Sequence, residues 1–345
     1  MHLLTNGVLI AIIAHGMVGI SLLWDKILLR QPATKNLPNY VFWLGAMSVF
    51  GVILIPFGFH MPSWKMALLA FVAGVINLAA NWYYYRALKR GEASQTLAIM
   101  GGFSPLATVL IAQALLSNKS LTGNSLVGFA ALVAGGFVMF FSEKIRWRRI
   151  LASVLLASGL FGLTNVLQKV VFNATAFVTG YVFFTIGTFM AAMGMLLYPP
   201  WRQQIFEQSE EAPPRSRLWY FVNRFIDGVG SFLIFYAISK ANPAVVDAIS
   251  GVRYIIIFVG AWLLTRLKPD WLREDFRRGA LIGKSIGTGL IVVGLVLVAF
   301  SSNGQSGASS SNARLIPPAD VPALRQRKWA PEAPVAGAQN HHRHS

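Results

Sequence analysis

The sequence predicts an all-α, polytopic membrane protein with ten transmembrane helices arranged as two inverted five-helix repeats. Hydrophobic residues make up 55% of the 345 residues and charged residues only 12%, whereas soluble domains carry about 25% charged residues. The apolar residues fall into ten stretches, each close to the ~20 residues that a helix needs to cross a bilayer. The first five and the last five stretches share small and charged residues at corresponding positions.

We read the ten stretches as helices because a helix satisfies its own backbone hydrogen bonds in lipid, and because the alternation typical of barrel strands is absent. The first stretch lacks a basic region ahead of it and a clear cleavage site after it, so we expect a retained helix rather than a signal peptide. The predicted spans are residues 7-24, 39-59, 66-86, 96-116, 124-142, 150-171, 177-198, 217-238, 244-266 and 280-301.

The repeat is clearest in the first helix of each half. HGMVGISLLWDKILL, beginning at His15, aligns with SGLFGLTNVLQKVVF, beginning at Ser158. The matched residues are Gly16 with Gly159, Gly19 with Gly162, Ser21 with Thr164, and Lys26 with Lys169. A duplicated set with an odd number of spans crosses the membrane in opposite directions, which is the inverted-repeat architecture of many secondary transporters.

Later helices continue the repeat. ALKRGEASQTLAIMGG from Ala87 matches AISKANPAVVDAISGV from Ala237. In the fifth helix of each half, Gly128 and Gly135 correspond to Gly287 and Gly294. We therefore expect one repeat over 1-145, a second over 146-301, and a disordered polar tail over 302-345, where little apolar surface is available for folding.

The regions between spans lead to simpler expectations. Residues 199-217 form the longest break and are predicted to be an exposed loop. Residues 271-278 fit a short interfacial helix and an ordinary loop about equally well. The histidines of the terminal HHRHS lack a further ligand set, so we predict no metal site there. The chain has no cysteine, and therefore no disulfide or thiolate metal site.

The net charge of +17 is carried by loops beside the spans, which favours attraction to lipid headgroups over nucleic-acid binding. Lysine and arginine are concentrated in the odd-numbered loops. The positive-inside rule then places those loops in the cytoplasm and both termini outside.

A known family has the same motifs. YYRALKRGEASQTLAIMGGFSPLATVLIAQALL followed by GFAALVAGGFVMF resembles the third to fifth helices of the EamA-type branch of the drug/metabolite transporter superfamily. The resemblance covers about 300 residues, and it implies ten helices, two inverted halves, a central cavity and a multi-pass protein of the bacterial inner (plasma) membrane. It also implies cytoplasmic termini, opposite to the orientation that the loop charges indicate.

This sequence departs from the family pattern at two places. LLSNKSL lacks the acidic residue that commonly follows the fourth helix, and Arg253 and Tyr254 stand where the first half has Phe103 and Ser104. The cavity chemistry is therefore expected to be particular to this protein.

Charged residues inside spans are the candidate site residues, because each costs at least ~2.5 kcal/mol on insertion and usually faces a cavity or a partner. Arg253, with Tyr254 beside it, falls near the middle of the ninth span and is the best candidate for substrate binding. A guanidinium recognises carboxylate or phosphate in a bidentate way, so an anionic or zwitterionic substrate is expected. An internal ion pair between Arg253 and Asp227 is the alternative.

Other charged residues have two readings each. Arg224 and Asp227 are three positions apart on one helical face, so they either form a structural ion pair or take part in binding and coupling. Asp247 follows a helix start at Asn242-Pro243, and it either serves proton coupling or only favours the helix N-terminus. Lys26 and Lys169 either bind substrate or snorkel to headgroups, with Asp25 and Gln168 as local partners.

His15 is the only histidine within a span, where it either relays protons or simply bonds a carbonyl group. Trp82 is a candidate substrate contact at the start of an aromatic run that lines a cavity or forms an interfacial belt. The remaining candidates are small residues and a proline predicted to allow close packing or hinge motion: Gly16, Gly19, Gly101, Gly102, Pro105, Gly159, Gly162 and Gly251.

The leading functional hypothesis is a secondary transporter that exports a small polar or anionic metabolite by alternating access, without a cofactor. Asp227 or Asp247 would give coupling, either by exchanging protons or by competing with the substrate for the arginines. A flippase for a lipid-linked headgroup is the first alternative, and it requires a cavity that opens sideways to lipid. A membrane-embedded lipid-modifying enzyme is less favoured, because the sequence shows no paired carboxylates or His/Asp cluster near the interface.

Overall fold

A computed structural model describes residues 7–28, 36–90, 93–116, 123–141, 150–211 and 214–267, and parts of 282–297, apart from some side chains within these ranges. The described residues are almost entirely helical, and no strand occurs among them. The predicted interfacial segment at 271-278 and the predicted tail at 302-345 lie outside the described residues.

The helices follow one another with short connections. They are α1 Gly7–Leu28, α2 Leu37–Met47, the 3-10 helix η1 Ser48–Phe57, α3 Trp64–Arg90, α4 Ala93–Leu116, α5 Asn124–Phe141, α6 Leu151–Ala174, α7 Phe177–Met195, α8 Pro199–Glu211, α9 Pro214–Lys240, α10 Pro243–Ala248 and α11 Gly251–Leu267.

Seven helical segments are long and apolar enough to cross a membrane. These are Gly7–Leu28, Leu37–Phe57, Trp64–Arg90, Leu151–Ala174, Phe177–Met195, Arg217–Lys240 and Pro243–Leu264. Three shorter apolar helical segments are Phe103–Leu116, Leu126–Val138 and Ser285–Gly294. The predicted all-α, multi-pass membrane character is thus confirmed, and the seven long segments fall within a few residues of predicted spans.

The region 199-217 was wrongly predicted to be a loop. Pro199 and Pro200 occupy the first turn of α8, where a missing backbone N–H costs nothing, and Pro214 begins α9 in the same way. α8 is anchored by Ile205, which is fully buried and whose carbonyl oxygen accepts a hydrogen bond from Asn39 Nδ2 at 2.8 Å.

Two predicted spans are broken helices. The second span consists of α2 followed directly by the 3-10 helix η1, which contains Pro56. The ninth consists of α10 and α11, separated by a turn at Ile249 and Ser250. As predicted, α10 begins at Asn242-Pro243, where the Asn242 side chain accepts from the backbone N–H of Ala244 at 2.9 Å.

Glycines allow α5 and the segment Ser285–Gly294 to cross at van der Waals distance. A Cβ atom on Gly135 would lie 2.7 Å from the Gly287 carbonyl oxygen, and one on Gly294 would lie 2.7 Å from the Gly128 carbonyl oxygen. In the sequence repeat Gly128 corresponds to Gly287 and Gly135 to Gly294, so replacing each glycine by its counterpart turns one contact into the other. The contact therefore has the reciprocal form of a two-fold interface.

α3 and α7 also meet through glycines. A Cβ atom on Gly74 would overlap the carbonyl oxygen of Phe184, and one on Gly187 would overlap that of Phe71. By contrast, α2 and α9 meet through large rings: the ring centroids of Tyr40 and Tyr220 are 5.0 Å apart. Bulky side chains thus keep α2 and α9 apart, whereas α3 and α7 touch through their backbones.

The other predicted packing residues have different outcomes. A Cβ atom would lie 3.2 Å from Arg253 Cα at Gly19, 3.0 Å from the backbone nitrogen of Thr108 at Gly162, and 2.7 Å from Ile291 at Gly251, so close packing holds at these three positions. Gly16 meets Ile256 only at an ordinary 3.7 Å.

The packing prediction for Gly159 is wrong, because no atom lies within 4 Å of a Cβ added there. The remaining predicted residues, Gly101, Gly102 and Pro105, all lie inside α4, which continues as one helix from Ala93 to Leu116.

Candidate substrate site

A cavity of about 490 Å³ lies inside the bundle. Its walls come from α1, α2, η1, α3, α4, α6, α7, α9, α10 and α11, and they are mostly apolar and aromatic. Among the described residues, the acidic and basic side chains that line it are His15, Arg224, Asp227, Asp247 and Arg253. Mostly apolar walls with a few convergent polar groups are typical of small-molecule sites.

One end of the cavity is bounded by an ion pair that the sequence did not indicate. Asp25 of α1 and Arg224 of α9 form a salt bridge, with side chains 0% and 2% exposed. The Asp25 carboxylate also accepts hydrogen bonds from the Tyr40 hydroxyl at 2.5 Å, the Tyr85 hydroxyl at 2.9 Å and Asn223 Nδ2 at 2.5 Å. A buried carboxylate with several donors is the arrangement that offsets its loss of hydration.

Arg224 serves two carboxylates. Its Nη1 donates to Asp227 Oδ2 at 3.2 Å and to the Tyr85 hydroxyl at 2.9 Å. The predicted ion pair between Arg224 and Asp227 is therefore present. The guanidinium carbon also lies 5.6 Å from the ring centre of Tyr40 and 5.7 Å from that of Tyr220. The two carboxylates neutralise the charge of Arg224 within the protein, although its buried Nε has no hydrogen-bond partner among the described residues.

Asp247 of α10 is buried and bound by hydroxyl groups of α4. Its Oδ2 accepts hydrogen bonds from Ser104 Oγ at 2.8 Å and from Thr108 Oγ1 at 2.6 Å. Ser104 and Thr108 are one turn apart on the same face of α4, so both hydroxyls reach the same carboxylate oxygen. Asp247 is therefore a buried part of the cavity wall.

Arg253 of α11 has a different partner from the one considered in the sequence. Its Nε donates to His15 Nδ1 at 2.9 Å. Within the described part of the chain, no ion pair joins Arg253 to Asp227, and neither Nη atom of Arg253 has a hydrogen-bond partner. The cavity wall therefore presents the outer edge of a guanidinium, which is the edge that binds a carboxylate or phosphate in a bidentate way.

Lys26 and Lys169 lie outside the cavity lining. Lys26 Nζ donates to the carbonyl oxygen of Leu88 at 2.8 Å, and Lys169 Nζ donates to that of Ile238 at 2.9 Å. Both carbonyls are in the last turn of their helices, α3 and α9. A cation at a helix C-terminus is stabilised by the unpaired carbonyl groups, so this placement favours a structural role over substrate binding.

The aromatic run divides between two environments. Trp82 does not line the cavity; its ring centre is 4.8 Å from that of Trp201 in α8. Tyr84 and Tyr85 line the cavity, and the buried Tyr84 hydroxyl has no hydrogen-bond partner among the described residues. The side chain of Tyr254 lies outside the described part of the chain.

The cavity reaches the surface between η1 and α9. Phe50 and Ile53 of η1 and Phe225 of α9 line it, yet they are 61%, 61% and 70% exposed. All three lie within segments that are long and apolar enough to cross a membrane. The cavity is therefore bordered here by exposed apolar side chains.

Sequence reasoning missed Asp25 as a site residue. The sequence predicts Asp25 only as a local partner of Lys26, although a carboxylate inside a span is itself a sign of a buried polar partner. Ser104 and Thr108 had only a weak signal, the spacing of one helical turn. Tyr85 and Asn223 had none, because their role depends on which helices meet.

Neither the protein-family models nor the curated proteins contain a match to this chain. Solved structures do match, including one described as "Crystal structure of protein", which aligns with a TM-score of 0.57 at 12% sequence identity. The alignment covers 88% of this chain and 98% of that chain. At this identity the likeness shows a shared fold alone.

Proposed function

We propose that the protein is a secondary transporter, rather than an enzyme, that exports a small polar or anionic metabolite by alternating access. The observation that carries this proposal is the free guanidinium edge of Arg253 in the wall of a cavity of about 490 Å³ inside a membrane bundle. An unpaired cation in a span is costly, which makes a functional role its default explanation. The substrate class is a compound with a carboxylate or phosphate group.

The proposal includes ten helices in two inverted halves, as in an EamA-type transporter of the bacterial inner membrane. Three shorter apolar segments add to the seven long ones. Two pairs of contacts support the repeat. Lys26 binds the Leu88 carbonyl and Lys169 binds the Ile238 carbonyl, and in the aligned sequences Lys26 corresponds to Lys169 and Leu88 to Ile238.

The second pair of contacts is the glycine crossing between α5 and Ser285–Gly294, which is reciprocal in the same register. Equivalent contacts in both halves are what a pseudo-two-fold axis between inverted repeats produces.

Differences between equivalent positions support alternating access. In the aligned sequences Asp25 corresponds to Gln168 and Arg224 to Gly74. A buried ion pair thus joins α1 to α9, whereas at the position equivalent to Arg224, α3 meets α7 through Gly74. We propose that breaking the ion pair, which has no counterpart in the other contact, gives the second arrangement that alternating access needs. Asp227 and Asp247 are the carboxylates proposed to exchange protons during the cycle.

The first experiment is a thermal-shift screen of the purified protein against amino acids, nucleotides, sugars, organic acids and inorganic phosphate. A ligand that binds only the folded state raises the melting temperature by mass action. Uptake of the stabilising compound into proteoliposomes is then measured for the wild type and for Arg253→Ala.

We expect Arg253→Ala to remove transport while leaving insertion and yield unchanged. Arg266→Ala is the matched control, because Arg266 lies on the same helix, is exposed and is outside the cavity. Normal uptake by Arg253→Ala would refute the assignment.

A flippase for a lipid-linked headgroup is the second candidate, favoured by the exposed apolar residues Phe50, Ile53 and Phe225 at the border of the cavity. Fluorescent phospholipid in proteoliposomes, quenched from outside with dithionite, measures exchange between leaflets. The chain has no cysteine, so a maleimide linker can join cysteines placed at positions 53 and 225. If the protein is a flippase, linking them will stop lipid exchange; a carrier of water-soluble substrates exchanges no lipid in either state.

A further inference from the structure

His15 joins α1 to α10 and α11 through both of its ring nitrogens. Its Nε2 lies 2.8 Å from the Val246 carbonyl oxygen and its Nδ1 lies 2.9 Å from Arg253 Nε. The ring is 1% exposed. A carbonyl oxygen only accepts and a guanidinium only donates. Nε2 must therefore carry the hydrogen and Nδ1 must be the acceptor, so this geometry requires the neutral imidazole.

The sequence builds this contact specifically. Gly19 is one turn after His15 on α1, and the absence of a side chain there brings Arg253 Cα within 3.2 Å of where a Cβ would be. α1 and α11 thereby approach closely enough for His15 to reach Nε. In the repeat, His15 corresponds to Ser158 and Arg253 to Phe103, so the second half has no equivalent of this hydrogen bond.

The bond decides where the guanidinium points. Nε is the only nitrogen of Arg253 with a hydrogen-bond partner in the described part of the chain. Holding Nε fixes the plane of the fork and leaves both Nη groups free for an anion. Rotamer freedom that is removed before binding does not have to be removed by the ligand, which favours affinity.

We propose that His15 is the positioning residue of the substrate arginine, and that a proton arriving at His15 Nδ1 releases it. The incoming proton takes the Nδ1 lone pair, the hydrogen bond from Arg253 Nε breaks, and Arg253 keeps its own proton and charge. The imidazolium then has no acceptor and stands beside a second cation. This inference rests on the proposed function, since it assumes that Arg253 binds the substrate anion.

The other charged groups facing this cavity are engaged elsewhere. Asp247 of α10 accepts from Ser104 and Thr108, and Asp227 and Arg224 of α9 pair with each other. Tyr84 of α3, which is titratable but uncharged, also lines the cavity. Among the described residues, no carboxylate is therefore paired with His15 or Arg253 to neutralise the added charge.

The first test needs no substrate. Protein labelled with ¹⁵N-histidine is reconstituted in lipid nanodiscs, and the two ring nitrogens of His15 are observed by NMR at pH 8. We expect the Nε2–H form in the wild type, and in Arg253→Ala a shifted Nδ1 resonance, because Nδ1 loses its hydrogen-bond donor while Nε2 keeps the Val246 carbonyl oxygen. His60, which is exposed and whose ring nitrogen Nδ1 lies 3.1 Å from the Gly58 carbonyl oxygen of its own loop, is the internal reference. An Nδ1–H form, or no change in Arg253→Ala, would overturn the proposal.

The second test uses inorganic sulfate, which stays doubly charged over the whole range used, as the anion probe and the rise in melting temperature as the readout. We expect the rise in the wild type to be at least about threefold smaller at pH 4.5 than at pH 8. His15→Gln, which donates and accepts without titrating, should give the same rise at both pH values. His15→Lys should give none, and Ser158→Ala, at the equivalent position of the other half, should behave as the wild type.

The outcomes separate the two proposals. A wild-type response that does not depend on pH, or a His15→Gln profile that follows the wild type, would overturn the role of His15. If sulfate stabilises Arg253→Ala as much as the wild type, the proposed substrate site fails, whereas the NMR result still decides whether His15 orients Arg253.

Discussion

Asp25 and Arg224 form a buried ion pair that joins α1 to α9 across 199 positions of the chain. The pair is completed by Tyr40, Tyr85 and Asn223, which donate to the same carboxylate. It brings helices of the two predicted repeats together at one end of the cavity. A transporter that admits its substrate from this end has to separate these residues.

Replacing Asp25 by asparagine removes the charge and leaves Arg224 with Asp227 as its remaining carboxylate. We expect a loss of about 3 kcal/mol in the free energy of unfolding, the lower end of the range for breaking a buried pair, since Asp227 compensates in part. Thermal or denaturant unfolding in detergent micelles measures it. Glu207→Gln, at an exposed glutamate of α8, is the control. Equal stability of Asp25→Asn and the wild type would mean that the pair contributes nothing.

Lys26 and Lys169 are expected to stabilise the fold without taking part in binding. Lys26→Met should cost about 1.5–3 kcal/mol, the range for hydrogen bonds to a charged group, and Lys169→Met should cost less because its amine is only half-buried. Both variants should keep the response to a stabilising ligand. Lys89→Met, at an exposed position of α3, provides the baseline. Loss of ligand response at unchanged stability would restore the substrate-binding reading.

The glycine crossing of α3 and α7 should tolerate no side chain. Gly74→Ala places a Cβ on the Phe184 carbonyl oxygen, so we expect a loss of about 1–3 kcal/mol from overpacking. Gly159→Ala, where a Cβ meets open space, should be neutral or slightly stabilising because alanine favours helix. The two alanine variants are compared by unfolding and by the yield of monodisperse protein. A tolerant Gly74 and a sensitive Gly159 would contradict the helix packing described above.

The hydroxyl groups around Asp247 should matter more than other buried hydroxyls. Thr108→Val removes the 2.6 Å donor of a buried carboxylate, and we expect a loss of about 1–3 kcal/mol. Thr164→Val is the matched control, because the Thr164 hydroxyl is buried but has no partner among the described residues. Unfolding experiments on both variants decide the matter, and equal losses would show that Thr108 contributes only packing.

Several features followed from the sequence because they depend on neighbours along the chain. The helix positions follow from apolar runs of sufficient length, the start of α10 from Asn242-Pro243, and the pair of Arg224 with Asp227 from a spacing of three residues. Hydropathy, capping and helical periodicity are local properties, so one sequence is enough to read them.

The tertiary structure decides which partner each buried polar side chain has. His15 meets Arg253, Asp25 meets Arg224 and Asp247 meets Thr108 because particular helices cross at particular depths. The same holds for the close approach of α3 and α7 at Gly74 and Gly187, and for the ring contact between Tyr40 of α2 and Tyr220 of α9. Spacing along the chain carries no information about such contacts, because helix packing brings together residues that are distant in sequence.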